Sequence, residues 1–126
     1  TEKTYRAVFE EVRKTLEAGH SAIADAVFAK PLERAAAERL AADAGDAADA
    51  GVPFRGLWLE APQEVMMERV GSRKDNASDA DAEIVRRQLT YDLGPMDWRV
   101  IDSSGSRKET LARGLRVLGL GRQATL

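Results

Sequence analysis

The sequence contains no cysteine, which excludes a disulfide framework, a thiolate metal site and a cysteine nucleophile. Its single histidine, His20, excludes a multi-histidine metal cluster and argues against a Ser-His-Asp triad. No apolar run approaches the ~20 residues of a membrane-spanning helix, and no signal-peptide pattern is present. Basic charge is not in excess either. Lys and Arg number 19 against 21 Asp and Glu, a net charge of −2, so no field of the whole molecule draws in nucleic-acid phosphates. A phosphate cradle is also missing. No glycine is followed by lysine, so there is no Gly-x-x-x-x-Gly-Lys-Ser/Thr loop, and no Gly-x-Gly-x-x-Gly occurs. Gly119-Leu120-Gly121 comes late and opens no helix. These absences lead to the expectation of a soluble, cytoplasmic globular protein with no membrane and no nucleic-acid partner.

What is present fits one globular domain. The 126 residues are 44% apolar and 32% charged, values of a folded chain and not of a disordered tail. Alanine is abundant, and 14 arginines stand against 5 lysines, a bias expected of a GC-rich bacterial genome. The chain opens on Thr1 and enters a helical pattern at once, so further residues are expected to precede it.

Tyr5, Phe9, Val12 and Leu16 recur at helical spacing over residues 2–18, and Gly19 is a natural stop. Residues 21–25, Ser-Ala-Ile-Ala-Asp, read as a strand buried on both faces. A helix begins near Pro31, whose fixed φ suits a first turn, with Leu32, Ala36 and Leu40 as its apolar stripe. Residues 41–51 read AADAGDAADAG, either a slipped duplication or alanine-rich low complexity. A second strand is expected over 54–60. Helices are expected over 63–72, with Val65, Met66 and Val70 inward, and from 79 to about 91, where Ser78 is the N-cap and Asp81 sits three positions on. Gly94-Pro95 breaks that helix. A third strand spans 98–102, Ser103-Ser104-Gly105 is a turn, and a last helix over 107–118 carries Leu111, Leu115 and Leu118 on one face. Residues 119–126 form a loose tail. Strands alternating with helices predict an α/β domain, a three-layer sandwich around a parallel sheet.

Open parallel sheets bind ligands at the carboxyl ends of their strands. Asp25, Glu60 and Asp102 fall there. Asp25 closes its strand, where a carboxylate takes a proton from an acceptor hydroxyl or holds a magnesium-bound water; the alternative is a bond to the loop backbone. Arg69 and Arg73 lie four apart on one helical face. Together they suit phosphate oxygens, although Glu64 and Glu68 are equally placed to pair with them.

The runs SAIADAVFAKPLER, PFRGLWLEAP, ERVGSRKDNASDAD and GPMDWRVIDSSGS, in that order, resemble the C-terminal two-thirds of a P-loop small-molecule kinase domain. The nearest likeness is to the ATP-binding domain that follows an aminoglycoside-phosphotransferase-like domain in many bacterial proteins. Polynucleotide kinases, gluconate kinases and zeta toxins are more distant relatives. The resemblance covers about residues 4–118, expected as a partial P-loop kinase-like domain, with 119–126 as a tail.

The resemblance implies ATP and Mg2+ as cofactors and a small-molecule phosphate acceptor as substrate. It makes Asp25 the acceptor-side aspartate and Arg34 the arginine that helps hold the acceptor or the transferring phosphate. It makes Arg69 and Arg73 lid arginines, residues 75–79 the lid loop, and Asp102, Ser104 and Gly105 the turn beside the adenine. The family's first strand and Walker A loop are not in this sequence, so the chain alone is expected to be inactive. That strand belongs between the strands at 21–25 and 54–60. Without it these two strands pair directly or leave open edges, and the chain self-associates through them. The alternative to a kinase fragment is a non-catalytic α/β interaction module.

Overall fold

The computed structural model describes residues 2–44, 51–71 and 79–120. The chain divides into two compact units, one of residues 1–54 and 92–95, the other of residues 55–91 and 96–126.

The first unit is built on α1 (Glu2–Glu17) and α2 (Pro31–Asp43). The expected stripe of α1 is real. Tyr5, Phe9, Val12 and Leu16 are half-buried, while the charged residues between them are exposed. The helix ends where Gly19 adopts φ +87°. Gly19 N–H donates to the Leu16 carbonyl at 3.0 Å and His20 N–H to that of Thr15 at 3.1 Å, a Schellman closure that requires the left-handed conformation glycine adopts freely. α2 starts at Pro31, preceded by the Lys30 N–H, which donates to the Glu33 carboxylate at 3.1 Å. Tyr5, Phe9 and Phe28 form an aromatic cluster, with centroids 5.3 Å apart for Tyr5–Phe28 and 6.3 Å for Phe9–Phe28. Phe28, Ala29, Leu40 and Ala41 are buried.

Two expectations for this unit are corrected. Residues 21–25 form no strand; they are exposed, and Ile23 is 96% exposed. A strand buried on both faces needs hydrogen-bonding neighbours, and among the described residues none lies beside it. Its direct pairing with 54–60 is therefore not seen. On α2, Leu32, expected on the apolar stripe, is 82% exposed, whereas Arg34 is only 4% exposed. The inward face follows Arg34, Leu40 and Ala41 because carbonyl groups wait there for the guanidinium.

The second unit contains β1 (Leu57–Glu60), α3 (Gln63–Gly71), α4 (Asp79–Leu89), β2 (Arg99–Asp102) and α5 (Arg107–Val117). β1 and β2 pair in parallel, Leu57 opposite Arg99 and Glu60 opposite Asp102. Parallel neighbours need a long crossover, and α3 and α4 supply it. Among the described residues this pair is the whole sheet, so the domain is α/β with two strands where three were expected. Ile101 and Val70 are buried, but Leu59 is 57% and Val100 51% exposed. Trp98 lies against the chain entering β1; a Cβ on Gly56 would overlap its indole. On α5, Leu115 is half-buried, while Leu111 and Leu118 face solvent, contrary to the expected stripe. Among the described elements α5 packs chiefly on β2, too little apolar surface to cover three leucines. Gly119 (φ +78°) closes α5 by the same motif as Gly19. The expected Ser78 cap, residues 75–78 of the expected loop and most of the 41–51 near-duplication lie outside the described residues, as does the end of the tail; Asp79, expected to end that loop, opens α4. No helix among the described residues is long and apolar enough to cross a membrane.

Candidate functional site

The parallel pair ends at Glu60 and Asp102, side by side in register. The chain leaving β2 turns over this edge through Asp102–Ser106 before α5 begins. Ser103 returns to β1 twice: its N–H donates to the Glu60 carbonyl at 2.7 Å and its hydroxyl at 2.9 Å. The Asp102 carboxylate accepts from the Ser104 N–H at 2.9 Å, an Asx turn that aspartate makes readily. The Ser104 hydroxyl and amide together hold the Asp102 carboxyl below the usual carboxylate range. Ser106 caps α5. Its hydroxyl accepts from Glu109 N–H, and the Glu109 carboxylate accepts from Ser106 N–H, both at 3.1 Å, a reciprocal capping box. The Ser106 amide and hydroxyl lower the Glu109 carboxyl. At Gly105 any side chain would press on that carboxylate, since a Cβ would lie 3.1 Å from its oxygens.

Two arginines grip the turn from outside. Arg69, on α3, donates through Nη2 to the carbonyls of Ser103 at 2.6 Å and Gly105 at 3.0 Å. Arg113, on α5, donates to the Asp102 carbonyl at 2.7 Å. The structure thus brings Arg69, Asp102, Ser104 and Gly105 together. Sequence reasoning missed Arg113 and the Glu60 carbonyl. Arg113 follows Asp102 by eleven positions, two helical turns into α5, and nothing in that spacing marks it.

In the first unit, Asp25 is exposed, within an irregular segment. Arg34 is enclosed. Nη1 donates to the carbonyls of Phe28 at 2.8 Å and Ala29 at 3.0 Å, and Nη2 to those of Leu93 and, at 3.4 Å, Pro95. It ties the segment after Asp25 to the 92–95 loop. Phe28 is held at φ 50°, a region unfavourable for a bulky residue, with its N–H on the Tyr5 hydroxyl at 2.8 Å. Burial raises the Tyr5 phenol above its ordinary value, and the Glu33 carboxylate nearby adds to the rise. Arg73 lies outside the described residues. Among the described residues no group of three or more Asp, Glu or His converges as a metal site.

The profile of a family described as an AAA domain matches residues 1–91, which include β1 and α3 but end before β2 and the turn that follows it. The chain belongs to this family. The match indicates a P-loop NTPase-like kinase domain, with a nucleotide as its ligand class. The chain is also 34% identical over 117 residues to the uncharacterised protein Mb2027c of Mycobacterium bovis, and equally to Rv2004c of Mycobacterium tuberculosis. These alignments cover 90% of this chain and 22% of each relative, so the chain spans about a fifth of their length. No solved structure matches the chain.

Proposed function

We propose that the chain supplies acceptor-side, lid and adenine-side residues of an ATP-dependent phosphotransferase that acts on a small-molecule hydroxyl. The observation that carries this reading is the Asp102–Ser106 turn at the carboxyl edge of the parallel pair, where open α/β sheets take their ligands, in a chain of the P-loop kinase-like family. In this reading Asp25 orients the acceptor hydroxyl and accepts its proton. Arg34 keeps the acceptor segment in place, and Arg73 faces charge developing on the transferring phosphoryl group. The described residues include the turn proposed for the base end of a nucleotide and the Asp25 position proposed for the acceptor. They offer no carboxylate cluster for magnesium, and the sequence has no amide nest for a triphosphate, so no magnesium or phosphate step is assigned to them. The chain alone is accordingly expected to bind MgATP no tighter than about millimolar.

The test uses the full-length protein with γ-labelled ATP and a panel of small hydroxyl compounds. Transfer of label is expected, with Asp25→Asn and Arg73→Ala each lowering turnover by on the order of a hundredfold. Unchanged turnover in both variants would remove the reading. A second reading, a non-catalytic interaction module, is favoured by one observation: Arg34 and Arg69 both donate to backbone carbonyls. It would stand if the full-length protein neither bound nor hydrolysed ATP.

A further inference from the structure

We infer that Arg69 is a positioning residue: through Nη2 it shapes the Asp102–Ser106 turn for the base end of the nucleotide. The inference rests on the nucleotide reading of this site. Its basis is the geometry of one nitrogen. Arg69 Nη2 carries two N–H groups, and each is directed at a carbonyl of the same turn, Ser103 at 2.6 Å and Gly105 at 3.0 Å. Both oxygens must therefore face α3, which sets the orientation of the Ser104 and Ser106 peptide planes between and after them. Arg113 takes the preceding carbonyl, Asp102, from α5. Three carbonyls of the turn are thereby held by two guanidinium groups.

Three amides of the turn are committed as well. Ser103 N–H is on Glu60, Ser104 N–H on the Asp102 carboxylate and Ser106 N–H on Glu109. A turn between a strand and a helix has no ladder of its own, so its shape is the product of these bonds. A phosphate drawn to Nη2 of Arg69 would have to break two charge-assisted hydrogen bonds, which are stronger than neutral ones. Arg69 is exposed, so its bonds add little to global stability. Their effect is local, on the turn.

The experiment measures adenosine and ADP binding to the full-length protein by calorimetry, for wild type, Arg69→Ala, Arg69→Lys and Arg113→Ala. Amide exchange at Ser103 and Ser104 is followed in parallel. A positioning role predicts that Arg69→Ala weakens adenosine and ADP by the same factor, about tenfold, raises KM for ATP by that factor and speeds exchange in the turn. Arg69→Lys, with several donors on one nitrogen but a shorter reach, should fall between. Arg113→Ala should repeat the pattern to a smaller degree. Weakened ADP binding with unaltered adenosine binding would show a phosphate grip and overturn the inference. Unaltered binding of both would overturn it too. Wild-type protein that binds neither ligand would instead overturn the nucleotide reading on which the inference stands.

Discussion

Arg34 in the first unit and Arg69 in the second both hold backbone carbonyls, but in opposite surroundings. Arg34 is buried and gathers carbonyls of Phe28, Ala29, Leu93 and Pro95. Arg69 is exposed and takes two carbonyls of one turn. A buried carbonyl that loses its donor has no water to replace it, whereas an exposed one does. The same residue type therefore acts on stability in one unit and on local shape in the other. The units also differ in what else they use. The first depends on an irregular segment with Phe28 in a strained conformation, and the second on a regular strand pair, a tight glycine and a capping box.

The largest expected effect is at Arg34. Arg34→Ala should destabilise the protein by about 3 to 4 kcal/mol, because several part-buried carbonyls lose charged donors together. Arg34→Lys should recover only part of this, since one ammonium does not span both segments. Urea unfolding measures it, and a loss below about 1 kcal/mol would erase the contrast with Arg69.

Next comes Gly56→Ala, which sets a methyl group into the Trp98 indole. Strand β1 or the ring must shift, at a cost of roughly 2 kcal/mol, and the tryptophan fluorescence should change with it. An unaltered spectrum and midpoint would mean that the second unit gives way more easily than its geometry implies. Ser106→Ala should cost about 1 kcal/mol through loss of the α5 cap, with faster amide exchange at Glu109 as the local sign.

The smallest effects are in pH, and they separate the units by sign. Asp102 and Glu109 are lowered in the folded protein. Folded protein then holds their protons less tightly than unfolded chain. Their stabilisation is present above the ordinary carboxylate range, about 4, and is lost as pH falls through the lowered values. Tyr5 is raised. Its contribution is present below the ordinary phenol value of about 10 and is lost as pH climbs through the raised one. NMR titration should show acid loosening the Ser104 and Ser106 amides, and alkali loosening the half-buried packing of the Tyr5 ring on Phe28, where burial opposes the phenolate. The reverse assignment would break the comparison.

The sequence by itself determined the elements whose causes lie within a turn or two of chain. Pro31 opens α2, Gly19 and Gly119 close their helices, and Ser106 with Glu109 caps α5, all by contacts among neighbours. The Ser103-Ser104-Gly105 turn was legible for the same reason, since a turn brings adjacent residues together without help; its place beside a nucleotide was implied only by the family resemblance. The half-buried stripe of α1 was legible from its period. The tertiary structure alone decided the rest. Residues 21–25 have the composition of a buried strand, but a strand exists only where a neighbour takes its hydrogen bonds, and that neighbour is not encoded in five residues. Leu32 left its expected inward face and Arg34 is buried because burial depends on what stands opposite, here carbonyls of a loop some 60 positions away. Arg69 reaches Ser103 across 34 positions and Gly105 across 36. No local spacing records such a contact, because it exists only once the parallel pair has brought the end of β2 beside β1 and its following helix.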